Sequence, residues 1–360
     1  MLPPSAAGLP CMLMRGGTSK GAYFLAGDLP ADPAERDALL LRVMGSPDPR
    51  QIDGVGGAHP LTSKVAVVSR SSDPGADVDY LFLQVGVEDA TVSAAQNCGN
   101  ILAGVGPFAV ERGLVAPGAD RTRVRVRMLN SGGLATAEFA TPGGTVRYDG
   151  DTAISGVPGT AAEVLLDFAD TEGATCGALL PTGAVRDVVD GIEVTCLDNG
   201  MPVVVAAARD LGITGDETAA ELAADAELAA RVQSLRIAAG RLMGLGDVTA
   251  APVPKTTLVA PPRHGGAVGT RTFIPVRPHE SIGVLGAVTV ATALLLPGAV
   301  GHDLAELPGP GAAMGIEHPS GRLDVQVELD TGRTPPRVRR SRLVRTARKL
   351  FDGRVFPRAS

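Results

Sequence analysis

The sequence contains no tryptophan, and only 3 tyrosines and 8 phenylalanines among 360 residues. Platforms on which nucleic-acid bases stack are hard to build from so few rings. Charge is also scarce, at 20% of residues with a net value of −6, so the surface as a whole does not recommend a nucleic-acid partner. The four cysteines, Cys11, Cys98, Cys176 and Cys196, never fall close enough for a C-x-x-C pair, which excludes the common zinc and dithiol redox motifs. Five scattered histidines without paired spacing argue that no metal is needed. The opening MLPPSAAGLP lacks a basic start and a long apolar stretch, so a cytoplasmic protein with reduced thiols is expected. The longest apolar run, 282–296, is interrupted by Gly283, Gly286, Thr289 and Thr292. It falls short of the roughly 18 residues a spanning helix needs, so no membrane partner is expected.

What is present is glycine (46), proline (28) and a hydrophobic content of 44%. These suit many short strands, tight turns and a sizeable core, and the length suggests two domains. The chain is organised around residues 96–112, QNCGNILAGVGPFAVER. Small polar residues open the stretch and an apolar run follows. It reads as a strand-to-helix junction with Asn97 as cap and Cys98 in the first turn. A helix start offers unpaired N–H groups and partial positive charge, which favours a thiolate and welcomes a carboxylate. Gly99 would let a ligand approach the backbone. The plainer alternative is a buried structural cysteine on a core helix.

Around this junction the pattern is mostly strand. PCMLM enters the glycine turn RGGTSKG (15–21), a candidate anion cradle or a plain hairpin. A phosphate loop is excluded, because the glycine spacing is wrong and AYFL reads as strand rather than helix. A helix is expected from Pro33 to Met44, closed by Gly45. Lys64 starts the strand KVAVV directly after Thr62 and Ser63; taken alone it is a solvated strand end. VDYLFLQV, RVRVRML, ATAEFA, TVRYDG and AEVLLDF read as further strands, and IEVTCLDNGMPVVV as two strands split by a turn at Asn199 and Gly200. Residues 219–242 form the longest amphipathic helical stretch. A second apolar helix, beginning at Ser281, mirrors the first, with polar residues at its start. Two such all-apolar helices imply two similar halves, although no residue-by-residue repeat is visible. The expected domains are 1–130 and 131–345, with 346–360 returning to the first.

The motifs MRGGTSKG, DGVGG…TSK, QNCGN, DNGMPVV, PK, EHPSG and RTAR…DG, in this order, resemble the family of cofactor-independent isomerases that includes 2-methylaconitate isomerase. The likeness covers about residues 9–357. It implies an α/β, diaminopimelate-epimerase-like fold: two related domains, each a curled sheet around a central helix, with the active site in the cleft between them. It also implies a cofactor-free proton shift in a small unsaturated tricarboxylate, either a keto–enol tautomerisation or an allylic isomerisation. The likeness matches Lys64 and Cys98 to an acid/base pair whose two roles stay open. It places Arg15, Gly17, Thr18, Ser19 and Lys20, together with Thr62, Ser63, Asn97, Gly99 and Asn100, near bound carboxylates. Asn199, Gly200, Met201, Ser281, Gly283 and Ser320 complete the expected substrate contacts. The second helix start carries no cysteine, so a two-thiol racemisation lacks its second thiol. The expected partner is the substrate alone, in a homodimer. Two other classes were weighed: a non-catalytic carboxylate binder, and a Cys–His hydrolase, for which no histidine has motif support.

Overall fold

The computed structural model describes residues 8–95 and 97–359. Gln96 of the central motif lies outside the described residues, as does the start of the N-terminal segment read for a leader. The chain divides into two compact units, 1–167 with 345–360, and 168–344.

In the first unit the strands are β1 (Leu9–Gly16), β2 (Ser19–Leu25), β3 (Lys64–Arg70), β4 (Val78–Val85), β5 (Val92–Ser93), β6 (Arg121–Met128), β7 (Leu134–Ala140) and β8 (Glu163–Phe168). β1 and β2 form an antiparallel hairpin, β2 and β3 run parallel, and β3 and β4 are antiparallel. β4 then pairs in parallel with β6, and β6 with β7 in antiparallel. Helix α1 (Pro33–Met44) has the expected ends: the Asp32 side chain accepts from Glu35 N, and Gly45 takes the left-handed conformation. Its buried Leu40, Val43 and Met44 pack on Phe24, Val65, Val67, Leu83 and Val85, which face one side of the sheet. Helix α2 (Gly99–Glu111) lies on the other side, against β1, β2, β3, β4, β6 and β7. It is buried on every face from Ile101 to Ala109, which explains why it has no wet side. Tyr23 donates to the Ile101 carbonyl at 2.5 Å, and a Cβ on Gly104 would collide with that phenol. Each fully buried side chain of this size contributes about 1.5–3 kcal/mol.

The second unit repeats the plan. Its strands are β9 (Asp187–Val189), β10 (Ile192–Asp198), β11 (Pro202–Ala207), β12 (Lys255–Ala260), β13 (Val268–Phe273), β14 (Pro278–His279), β15 (Met314–His318) and β16 (Gly321–Asp330). β10 and β11 form a hairpin, β11 runs parallel to β12, β12 is antiparallel to β13, β13 parallel to β15, and β15 antiparallel to β16. Two helices, α3 (Ala219–Ala224) and α4 (Ala226–Leu242), cover one face, and α5 (Val284–Leu294), buried from Gly286 onwards, covers the other. The long final strand β17 (Arg337–Val355) pairs with β16 up to Leu343 and with β1 from Ala347.

Several sequence readings are corrected. The helical stretch 219–242 is broken at Asp225, whose carboxylate accepts from Leu228 N and caps α4 anew. TVRYDG is irregular, because it follows the Pro142–Gly144 turn and finds no ladder partner. Residues 131–167 lie in the first unit, since β7 pairs along its length with β6 and shares its side of the core. Among the described residues, no helix is long and apolar enough to cross a membrane.

Candidate active site

In the first unit the central motif and the glycine turn come together. Cys98, not Asn97, is the cap of α2, with φ −130° and ψ 100° and no side-chain cap bond, because the helix begins one residue later than expected. Asn97 instead donates to Ser131 Oγ at 2.7 Å. Tyr80 donates to the Cys98 carbonyl at 3.3 Å and pins the peptide that leads into the helix. The β1–β2 turn packs on this start. Gly17 has φ +50°, and a Cβ there would strike the Asn100 side chain. Asn100 Nδ2 donates to Thr18 Oγ1 at 3.0 Å, and Arg345 Nε donates to Asn100 Oδ1 at 3.1 Å. Ser19 is 2% exposed and its hydroxyl finds no partner among the described residues. The Lys20 ammonium lies 3.2 Å from where a Cβ on Gly57 would stand, beside Thr62.

Lys64 is not a solvated strand end. It is 7% exposed, unusual for a lysine without a charged partner. Its Nζ donates to Gln84 Oε1 at 2.7 Å and stands 5.0 Å from the Phe82 ring centroid. Side chains alternate along a strand. Leu81, Leu83 and Val85 face α1, so Tyr80, Phe82 and Gln84 face α2. Lys64, directly opposite Gln84 in the ladder, shares that face with the Tyr80 phenol that reaches Cys98. Gly21 adds a second link: a Cβ there would meet both the Lys64 carbonyl and the Ile101 side chain.

The other thiols are poor proton carriers near neutral pH. Burial pushes Cys11 and Cys196 up to about 12, and burial together with Asp198 does the same to Cys176. Burial, with Cys98 adding to it, drives the Tyr23 and Tyr80 phenols well above their usual range, so both stay neutral donors.

Three expected substrate contacts are spent on structure. Arg15 Nη1 donates to the Gly17 carbonyl, the Thr346 carbonyl and Thr346 Oγ1. Ser63 is wholly buried and donates to Gln51 Oε1 at 2.6 Å. Asn199 is wholly buried: Thr171, Thr292 and Ser341 engage its amide, and Thr289 meets its backbone. A turn between two inward-facing strands closes over its asparagine rather than offering it. Thr62 Oγ1 donates to the His59 carbonyl at 3.1 Å and remains partly exposed.

In the second unit α5 begins at Val284, with Gly283 as cap, three residues after Ser281. The Ser281 amide is held by His279 Nδ1, which keeps that residue outside the helix. Ser281 Oγ lies 3.4 Å from His318 Nε2, and Ser320 Oγ lies 3.2 Å from His318 Nδ1 while donating to the Glu280 carbonyl. Lys255, the lysine of the PK motif, has no role among the expected contacts. Burial holds its ammonium below the usual lysine range, no partner faces it among the described residues, and a Cβ on Gly283 would stand 3.2 Å from its Nζ. Gly200 and Met201 complete the β10–β11 turn, with the Met201 carbonyl accepting from Thr289. Among the described residues no group of three His, Cys, Asp or Glu could hold a metal ion.

A lysine and a helix-start thiol on one face of a sheet can take and return a proton at carbon. The sequence matches the PrpF protein family over residues 7–358, and the chain belongs to that family. Its relatives there are named isomerases, and the chain is an isomerase. It is 61% identical to a (4E)-oxalomesaconate Delta-isomerase of Novosphingobium sp., over 96% of this chain and 97% of the relative. It is 57% identical to a 4-oxalomesaconate tautomerase of Pseudomonas putida, over 96% and 95%. Among solved structures, methylitaconate-delta-isomerase superposes with a TM-score of 0.84 at 36% identity, over 96% of this chain and 94% of that one. The epimerase-like expectation of two sheets, each around a central helix, is met within each unit.

Proposed function

We propose that the protein converts the keto form of 4-oxalomesaconate to its enol, 4-carboxy-2-hydroxymuconate, by a cofactor-free proton shift carried by Lys64 and Cys98. The observation that carries this reading is the shared inner face: a buried lysine whose acceptor is a neutral amide, and a thiol at the start of a buried helix. The substrate C–H lies next to a ketone and is conjugated to an alkene, so it is moderately acidic. One member of the pair takes the proton from carbon. The electron pair moves onto the carbonyl oxygen, and the other member returns a proton. The first N–H groups of α2, from Gly99 and Asn100, with Thr18, Ser19, Lys20 and Thr62, suit carboxylates and the developing enolate. The reading gives Gly200, Met201, Ser281, Gly283 and Ser320 of the second unit further substrate contacts. It places the enzyme in the cytoplasm, in the breakdown of gallate, as a homodimer, which sedimentation of the purified protein tests.

The test is an assay on freshly generated 4-oxalomesaconate, followed by its ultraviolet spectrum and by proton NMR. Rapid appearance of the enol is expected; an unchanged spectrum despite binding contradicts catalysis. The name of the Novosphingobium relative favours a second reading, an allylic shift of the carbon–carbon double bond. A substrate panel including methylaconitate-type tricarboxylates separates the two by the position of the double bond in the product.

A further inference from the structure

Lys64 is held by one side chain, and that side chain is itself held. Gln84 stands directly across the β3–β4 ladder, and its Oε1 accepts from the lysine at 2.7 Å. Its Nε2 donates to the Pro60 carbonyl at 3.0 Å and to the Ser63 carbonyl at 3.1 Å. Those carbonyls accept only, so the amide cannot be flipped without setting oxygen against oxygen. The loop that leads into β3 therefore fixes which end of Gln84 meets the lysine. Phe82, two residues earlier on the same face, walls the ammonium from below.

We propose that Gln84 is the positioning residue of Lys64. It holds the amine in one place through a neutral acceptor and supplies no countercharge, so the lysine stays free to trade its proton. The inference rests on the proposed role of Lys64. The second unit offers a contrast: Lys255 also opens the strand that follows a parallel neighbour, yet among the described residues no side-chain amide bonds to it. An acid at position 84 would clamp the ammonium. The titratable groups on the neighbouring elements near this end are Lys20 and Tyr23 of β2, Tyr80 of β4, His59 of the preceding loop and Cys98 ahead of α2, with both phenols held neutral by burial. The one acid of β4, Asp79, is at the far end and paired with Arg127 at 2.7 Å.

The experiment compares full pH profiles of kcat for the wild type, Gln84→Glu, Gln84→Met and Lys64→Met. Gln84→Glu adds a negative charge within hydrogen-bond reach and should move the limb governed by Lys64 up by about one pH unit or more. Gln84→Met keeps length and removes the acceptor. It should move that limb down and lower kcat by about 10- to 100-fold, with KM changed less than threefold. Opposite shifts are not expected of a residue that merely supports the fold. If either variant fails to fold, the other decides by its own direction. If Lys64→Met loses turnover while both Gln84 variants keep the wild-type profile, the positioning role is overturned. If Lys64→Met turns over normally, the proposed function fails instead.

Discussion

The two units are the same drawing in different inks. Each has a hairpin, a parallel step, an antiparallel strand, a buried helix and a returning pair of strands. In each, a lysine opens the strand after the parallel step, Lys64 on β3 and Lys255 on β12. The differences lie in what stands around those lysines. Lys64 has an amide acceptor, an aromatic wall and, on its face, a helix whose cap residue is Cys98. Lys255 has burial and the start of a helix whose cap is Gly283. The proposed function rests on the first set; the second has no thiol at its helix start. A repeated scaffold thus surrounds equivalent lysines with different groups.

Substitutions that break this contrast should rank accordingly. The largest effect is expected from Cys98→Ala, which should lower turnover by about 10² or more with the fold intact, as for loss of a general acid or base. Circular dichroism and steady-state rates check it, and near-wild-type turnover would remove Cys98 from the mechanism. Next comes Lys255→Met. Loss of a charge-assisted contact worth about 1.5–3 kcal/mol should raise KM roughly tenfold or more while kcat stays within about threefold. A collapse of kcat with KM unchanged would mean that both lysines do chemistry. The smallest effects belong to Cys176→Ala and Cys196→Ala, whose thiols are pushed to about 12 and should be dispensable for turnover. Chelation followed by desalting should likewise leave the rate unchanged. Activity that vanishes and returns with a divalent ion would replace the proton-shift mechanism with a metal-assisted one.

The sequence carried the architecture where local signals are strong. The two all-apolar helices are visible as runs without a wet face, and α1 announces itself by Asp32, Pro33 and Gly45. The ordered motifs, through the family resemblance, match Lys64 and Cys98 to an acid/base pair. What is not legible depends on register. Gln84 looks like one polar residue in an apolar strand until the ladder sets it opposite Lys64. Lys64 reads as exposed because strand ends usually are; only the packing of β4 and α2 shows it enclosed. Asn199 reads as a turn residue open to ligand, yet tertiary contacts from four hydroxyl-bearing residues close over it. Lys255 is hidden for the same reason, since its neighbour Gly283 is 28 positions away in the chain.

The central claim, that Lys64 is one of the two proton carriers, is tested most directly by isotope exchange. Turned over in D₂O, the wild type should exchange the shifted hydrogen with solvent, because amine and thiol protons both exchange rapidly. If Lys64 is the base, Lys64→Met should lose exchange and turnover together. If the variant still exchanges the substrate C–H at the normal rate yet cannot complete the reaction, Lys64 is the donor and Cys98 the base. Exchange and turnover both at wild-type rates in Lys64→Met would contradict the account.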